Sequence, residues 1–462
     1  MLCTKRTGRA AGARAASARG RGPGRRALAA GGALAALAAA TGAQAQSGGP
    51  VPLPPALAPG GYQPAQAAVP EGVGVADRPR LDYLPVGGRV GAFFLYPQME
   101  VSAGATDNLR AADSDRKGDA YVKLDSKLQV VTGWSRHQLR MGGWFNRPFY
   151  VSNSAEDTSA YGGSVQGRLD LGSFSAVDLD GTVERAVLDR TDYNSPITAS
   201  APIRIDKYHG ALGLVHRFNR LQIYASGALT SYRYHDAQTD AGALITEQYR
   251  NMDQYVGALD VEYNLHPGLS LVVHGSHDRQ VYTLAADSPL QPGGLDRDSS
   301  GWTLEGGLRF NLTGKLYGQL RAGYLWRLYD DARLQDTRGF SFTGDIAWNV
   351  TDLTTLRLIA YRRIEDAAST TSAGNDVVSA QLAVDHELRH NLIVSASGGQ
   401  THYAPLGPTP ASEEWFARVG GKYLLSRRLT LTAELRHASR TSPDPTHAYR
   451  LTAGMVGLRL SL

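Results

Sequence analysis

Between Gly91 and Leu462, the residues best suited to do chemistry are arginines and carboxylates that recur on alternate positions. Arg140, Arg168, Arg309, Arg321, Arg327, Arg357, Arg363, Arg418 and Arg436 share one face of their segments with Asp170, Asp178, Asp180, Glu184, Asp260, Glu262, Glu305, Asp345 and Glu434. Tyr121, Tyr317 and Tyr361 fall beside them. Fixed charges of both signs along a wet face suit steering and weak solute binding, not bond-making. Two readings stay open. Either the charges pair across strands and solvate an interior, or they line a permeation path. On the second reading, early acids (Asp178, Asp180, Glu184) and late arginines (Arg321, Arg327, Arg357, Arg363) form opposed walls of unlike sign with a transverse field between them.

Catalytic groupings are not legible. The 12 histidines are scattered, and His274 and His277 face opposite sides of one strand, so they cannot share a metal there. No metal or cofactor is expected. His235, His402 and His437 fall near long polar loops, where a Ser/His pair would suit a lipid or glycan hydrolase, but serines are expected in such loops anyway. Gly314-Lys315 lacks both the glycine spacing and the Ser/Thr of a phosphate-binding loop. No catalytic residue is assigned, and an enzyme is the least favoured function.

The elements that carry the charged face are strands. In Leu316–Tyr329, Leu316, Leu320, Ala322, Tyr324, Trp326 and Leu328 alternate with Tyr317, Gln319, Arg321, Arg327 and Tyr329. The same period runs through 120–130 and 429–436. These strands are about 11–15 residues long, where a tilted membrane-spanning strand needs about 9–11 and soluble strands average half the observed length. Short turns near Trp134, Gly172, Asn219, Pro267, Thr313, Asp352, His390 and Ser426 alternate with longer polar loops near 107–118, 152–159, 189–203, 236–250, 284–300, 331–337, 367–375, 405–413 and 441–446. No stretch after the leader is apolar enough for a spanning helix, and only helices or closed barrels cross a bilayer. The pattern predicts an all-β, antiparallel, up-and-down transmembrane β-barrel of about 18 strands, with 16 left open by an error of one hairpin. Its setting is the bacterial outer membrane, and its partners are outer-membrane lipid and lipopolysaccharide and the barrel-assembly machinery.

Aromatic residues predict two interfacial girdles. Tyr150, Tyr232, Tyr234, Tyr282, Trp302, Trp326, Tyr329, Tyr403, Trp415 and Tyr449 lie next to long loops. Trp134, Phe174, Phe218, Tyr263, Phe310, Trp348 and Tyr423 lie next to short turns. In the last strand Val456, Leu458, Leu460 and Leu462 alternate to the end, whereas Leu451, Ala453 and Met455 take the other parity, which predicts a bulge near Gly454–Gly457.

The ends read differently. Residues 1–45 form a signal peptide: eight basic residues with no acid, the apolar run Ala27–Thr41, and Ala43-Gln44-Ala45 before the cut. The full chain carries 48 basic and 43 acidic residues, so without the leader it is slightly acidic and nucleic acid is not an expected partner. Cys3 leaves with the leader, so no disulfide follows. Residues 46–88, rich in Pro, Gly and Ala, read as a disordered periplasmic tether, with a docking arm or a segment threaded into the lumen as the alternatives. The barrel occupies 89–462.

Gly91, Phe93, Pro97, Val101, Gly104, Asp107 and Asn108 form an opening that resembles the putative β-barrel porin 2 family, as do the turn at Gly133–His137, the strand Tyr161–Asp170 and Asp189-Arg190. The resemblance covers roughly 91–195. It implies an outer-membrane barrel of a kind often linked to capsule or exopolysaccharide secretion, with periplasmic polysaccharide-export components as partners. Export of a polysaccharide is therefore the first functional expectation, and a general or sugar-selective diffusion porin the second. Against a size-limiting porin stands the shortness of the loops, the longest being about 17 residues, below what an inward-folding constriction was expected to need.

Overall fold

The computed structural model describes residues 72–284, 288, 294–369 and 372–462. The expected signal peptide and the tether as far as residue 71 lie outside the described residues. Eighteen long strands alternate up and down among the described residues. The first six are β1 Phe93–Thr106, β2 Asp119–Thr132, β3 Gln138–Tyr150, β4 Ala160–Asp170, β5 Ser175–Val187 and β6 Arg204–Phe218. Then come β7 Leu221–Tyr234, β8 Met252–His266, β9 Leu269–Tyr282, β10 Ser299–Leu312, β11 Leu316–Tyr329 and β12 Thr337–Thr351. The last six are β13 Thr354–Glu365, β14 Asn375–Arg389, β15 Leu392–Pro405, β16 Ser412–Leu424, β17 Leu429–Thr441 and β18 Tyr449–Ser461. Each pairs antiparallel with its neighbours in sequence, and β18 closes on β1 from Gln98↔Ser461 to Thr106↔Ala453. Closure leaves no sheet edge with unpaired backbone groups facing lipid.

Alternation decides which face meets lipid. Met99 and Val101 of β1, Leu212 and Leu214 of β6, Leu271 and Val273 of β9, and Leu458 and Leu460 of β18 are all exposed on the outside. The opposite parity, which closure turns inward, carries the charges. Two-residue turns work because Asn219 takes φ +33°, and Gly268 in the next short turn takes φ +86°. The three register shifts, at Asn264/His266, Asn349/Thr351 and Glu387/Arg389, all sit beside short turns.

Two expectations are corrected. There is no bulge near Gly454: β18 stays in register with β17 from Leu429↔Leu460 to Arg440↔Tyr449. The odd parity persists because Tyr449 and Leu451 point inward and pack with Ala111 and Ala438 at the outer mouth, so apolar side chains are at home on that face. The outer girdle is also different. Trp302, Trp326 and Trp415 share the lipid-facing parity, but Tyr150, Tyr232, Tyr234, Tyr282, Tyr329, Tyr403 and Tyr449 share the inward parity of their strands. Tyr161, Tyr208, Tyr255 and Phe340 supply the missing exposed rings on the outside. Of the girdle expected beside the short turns, Trp134, Phe174, Phe218, Tyr263 and Trp348 are exposed, while Phe310 and Tyr423 are half-buried.

Candidate permeation path

The inward face is a mesh of ion pairs between neighbouring strands. Arg168 of β4 reaches Asp178 of β5 at 3.0 Å and Asp170 at 3.3 Å, and Lys207 of β6 lies 3.5 Å from Glu184. Asp180 accepts from Gln166 and faces His209 at 3.6 Å. Arg309 of β10 reaches Glu262 of β8 at 2.5 Å. Arg321 of β11 bridges Glu305 at 3.3 Å and Asp260 at 3.5 Å, and Asp260 also holds His274. Arg327 meets Asp278 at 2.7 Å, Arg357 meets Asp345 at 2.6 Å, and Arg363 meets Glu365 at 2.5 Å while lying over the Tyr361 ring.

These pairs correct the idea of two opposed walls of unlike sign. Each of the four late arginines has a carboxylate within ion-pair range, and of the early acids Asp178 and Glu184 are met by Arg168 and Lys207 while Asp180 is held by Gln166 and His209. A transverse field built from neutralised pairs is weak. What pairing leaves over lies elsewhere: besides Arg217 of β6, which bonds Gln222, four cations on this face have no carboxylate partner among the described residues, Lys127 of β2, Arg140 of β3, Lys422 of β16 and Arg436 of β17. These four occupy the stretch of wall that spans the β18–β1 closure. Tyr317 lies lower, its hydroxyl close to where a β-carbon on Gly74 would be.

The outer mouth is narrowed by a loop that sequence reading missed. Residues 188–203, between β5 and β6, leave their own side of the barrel and reach the opposite one. Tyr193 stacks on Tyr403 of β15 (4.5 Å between centroids, 11° between planes) and packs against Val377 of β14 and Tyr361. Arg440 of β17 donates to the Thr191 carbonyl while holding Glu414, and Arg436 donates to the Thr191 hydroxyl at 3.3 Å. The near end is pinned by Arg190, which grips Glu156 through two bonds of 2.6 and 3.1 Å with both side chains buried. A crossing of 16 residues suffices because these anchors draw it taut. Asp192-Tyr193-Asn194-Ser195-Pro196, turn-forming residues around one aromatic, was the available signal.

Other loops brace this crossing. Asp366 accepts from Tyr282 at 2.8 Å and pairs with Arg250 at 3.4 Å and Arg297 at 3.6 Å. Arg250 lies 4.0 Å over the Tyr234 ring and donates to the Asn194 carbonyl, and Arg297 lies 4.3 Å over Tyr282. The inward tyrosines therefore serve as cation-binding faces. Burial works against the Arg250 charge, yet Tyr234, Asp366 and Glu247 around it push its pKa up. Burial raises the Glu247 carboxyl against the pull of Arg250. Asp192, at the loop tip, is pushed up to about 6 by enclosure, against the Asn194 amide, Arg250 and Arg440, with Glu365 adding to the rise.

At the other end the chain before β1 is packed from Gly72 on, where a tether was expected up to residue 88. The Gly72 amide bonds the Gly314 carbonyl, the Val75 amide bonds Thr355 Oγ1 at 2.8 Å, and Asn349 donates to the Val73 carbonyl. Arg78 donates to the Asp352 carbonyl, and Arg80 reaches the His390 carbonyl and Glu387. The cause is side chains that fit turn carbonyls, in a segment whose charges (Asp77, Arg78, Arg80, Asp82) break with the charge-poor stretch before it.

Histidines near hydroxyls are cross-strand partners. Ser175–His216, Thr230–His209, Thr354–His386 and Thr452–His437 are each directly opposed residues of neighbouring strands joined by a hydrogen bond. They are units of sheet stabilisation. Of the outer-loop histidines, His235 is held by Asp206 and His402 by Glu413.

Residues 80–462 match the family described as putative beta-barrel porin 2. The chain belongs to this family. The match takes in the whole barrel, well beyond the 91–195 opening, and this porin-family barrel resides in the bacterial outer membrane. No curated protein matches it in sequence. Among solved structures it is similar to Pseudomonas aeruginosa OccK3 (OpdO), with 15% identity over 80% of this chain and 95% of that one at a TM-score of 0.42. P. aeruginosa OccK9 (OpdG) gives 13% identity, 80% and 98% coverage and a TM-score of 0.45. Acinetobacter baumannii OccAB4 gives 10%, 83% and 99%, and 0.43.

Proposed function

We propose that this β-barrel porin is a diffusion channel for small hydrophilic solutes, restricted at its outer mouth, rather than a conduit for a polysaccharide. The observation that carries the reading is the loop 188–203, stacked through Tyr193 on Tyr403 across the lumen and pinned by the buried Arg190–Glu156 pair. A polymer needs a continuous bore for a chain longer than the barrel, and this crossing would have to be dismantled for each passage. A small solute passes beside it. Lys127, Arg140, Lys422 and Arg436 favour anions among such solutes, because their charge is not spent on a partner. No enzymatic step is needed.

Purified protein in planar bilayers and in swelling liposomes tests this. Discrete conductance, with swelling rates that fall as amino acids and sugars grow, is the expected result. Passage of long dextrans, or a gene deletion that abolishes surface polysaccharide and spares uptake of small anions, would refute it.

A further inference from the structure

The packed segment before β1 follows the inner rim. In chain order it touches the β10–β11 turn through Gly72, the β12–β13 hairpin through Val75 and Arg78, the β14–β15 turn through Arg80, and the β16–β17 turn where Arg427 donates to the Asp82 carbonyl. It ends as Gly88–Val90, paired with Phe93–Leu95 of β1. The contacts lie inside the rim, because Asn349 and Thr355 have the inward parity of β12 and β13 and are buried. Val75 is 0% exposed, and a β-carbon at Gly74 would lie 3.2 Å from Thr355 Cγ2. The segment is therefore a partial collar, seated by named anchors along the β10–β17 side of the rim and on β1.

The collar carries three exposed charged residues, Asp77, Asp82 and Arg89, and of these Asp77 is the one that faces the wall charges Arg357, Asp385 and Lys422. Arg80 is buried against Glu387 at 2.8 Å, and Arg78 is turned to the Asp352 carbonyl. Ala76 and Asp77 are exposed between the anchored Val75 and Arg78. The Asp77 side chain has no hydrogen bond or ion pair among the described residues, and the charges that act on it are Arg357, Asp385 and Lys422 of the wall. Enclosure in the mouth pushes the carboxyl up, Arg357 and Lys422 oppose that, and Asp385 adds to it.

We propose that the collar is the inner selectivity element of the channel, and that Asp77 is its specificity-determining residue, a free carboxylate set into the path to weigh against the unpaired cations of the wall. This rests on the diffusion-channel reading. With Asp77 in place, small anions meet an opposing charge beside the wall cations at the periplasmic exit and cations gain a foothold there. Displacing the collar removes that charge and widens the mouth together.

The test uses the full mature chain, which has no cysteine once the leader is removed. In planar bilayers under a salt gradient, Asp77→Asn should move the reversal potential towards anions. Arg80→Ala, made together with Glu387→Gln so that no carboxylate is stranded, frees the collar and should produce the same shift and also raise the conductance. A disulfide between Gly74→Cys and Thr355→Cys, added to that pair of substitutions, should restore both, and a reductant should undo the restoration. Reversal potentials that stay at the wild-type value in Asp77→Asn and in the Arg80→Ala, Glu387→Gln double variant, in channels that conduct, would overturn the proposal and leave the diffusion reading intact. A second readout does not depend on conduction. In detergent, Ala76→Cys should react faster with a cationic than an anionic water-soluble thiol reagent, and Asp77→Asn should lower that ratio several-fold. An unchanged ratio would overturn the proposal even if the wild type proved silent in bilayers, which would instead count against the diffusion reading.

Discussion

Replacing Arg190 by alanine should open the outer mouth without unfolding the barrel. Arg190 and Glu156 are 7% and 3% exposed and joined by two hydrogen bonds, so the substitution leaves a carboxylate buried without its partner. Breaking such a pair from one side costs about 3–5 kcal/mol, and Arg110, 3.7 Å from Glu156, remains to offset part of it, which puts the cost near 3 kcal/mol. At about 1.4 kcal/mol per tenfold, the ratio of seated to released loop should fall about a hundredfold. The loss stays local, because no strand ladder depends on the pair. Single-channel conductance should rise, while the unheated protein keeps its fast mobility on a denaturing gel. Adding Glu156→Gln should return part of the closure, since the stranded charge, not the missing bond, is the larger cost. Wild-type conductance and open lifetimes in the Arg190→Ala channel would refute the assignment of 188–203 as the restriction.

Other expectations follow from the same geometry. A carboxyl whose pKa is raised in the seated loop binds its proton more tightly there, so seating is favoured at low pH and weakens as pH rises from about 4, the ordinary carboxylate value, through the Asp192 value of about 6. Conductance should therefore climb over that window and level off above it, and Asp192→Asn should flatten the climb; an identical pH profile in the variant would count against it. Changing Lys127, Arg140, Lys422 and Arg436 together to glutamine should move the reversal potential towards cations with little loss of stability, whereas the same change at Arg309, Arg327, Arg357 and Arg363 should in addition lower the urea midpoint of refolded protein, because it strands their paired carboxylates. Gly323→Ala should impair assembly, since its β-carbon would lie 1.9 Å from the Leu304 carbonyl oxygen, and a heat-modifiable, correctly inserted variant would contradict that close approach of β10 and β11.

The fold was legible because a barrel writes itself in period two. Strand number, turn sites and the lipid-facing Leu and Val residues all follow from alternation and from turn residues such as Asn219 and Gly268. Side-chain direction at strand ends was less so. Tyr232, Tyr282 and Tyr403 sit at interface height, where aromatic residues usually face lipid, yet their parity turns them inward, and counting parity outward from Leu229 or Leu271 would have shown it. The charged face was found residue by residue, but its pairing was not, since Arg321 reaches Asp260 two strands away from its own hairpin partner. The crossing loop and the collar were hidden for a different reason. Both are held by side-chain bonds to distant carbonyls, such as Arg440 to Thr191 and Arg80 to His390, and no local pattern encodes a partner hundreds of residues away.

Pairing also decides where selectivity can reside. A lumen wall whose arginines and carboxylates bond their neighbours is almost neutral to a passing ion, and it is rigid, because each charge is fixed by another. Selectivity must then come from the groups that pairing leaves out. These are the four cations near the β18–β1 closure, Arg217 and Asp385 of the wall, which bond only Gln222 and Ser395, Asp192 on the crossing loop and Asp77 on the collar. Asp192 and Asp77 stand at opposite mouths, on segments that lie outside the strand ladder. Substitutions there change the charge a solute meets without disturbing the hydrogen bonds that hold the barrel closed. A barrel built this way can alter what it admits by changing its loop and its collar, while the wall that the membrane requires stays as it is.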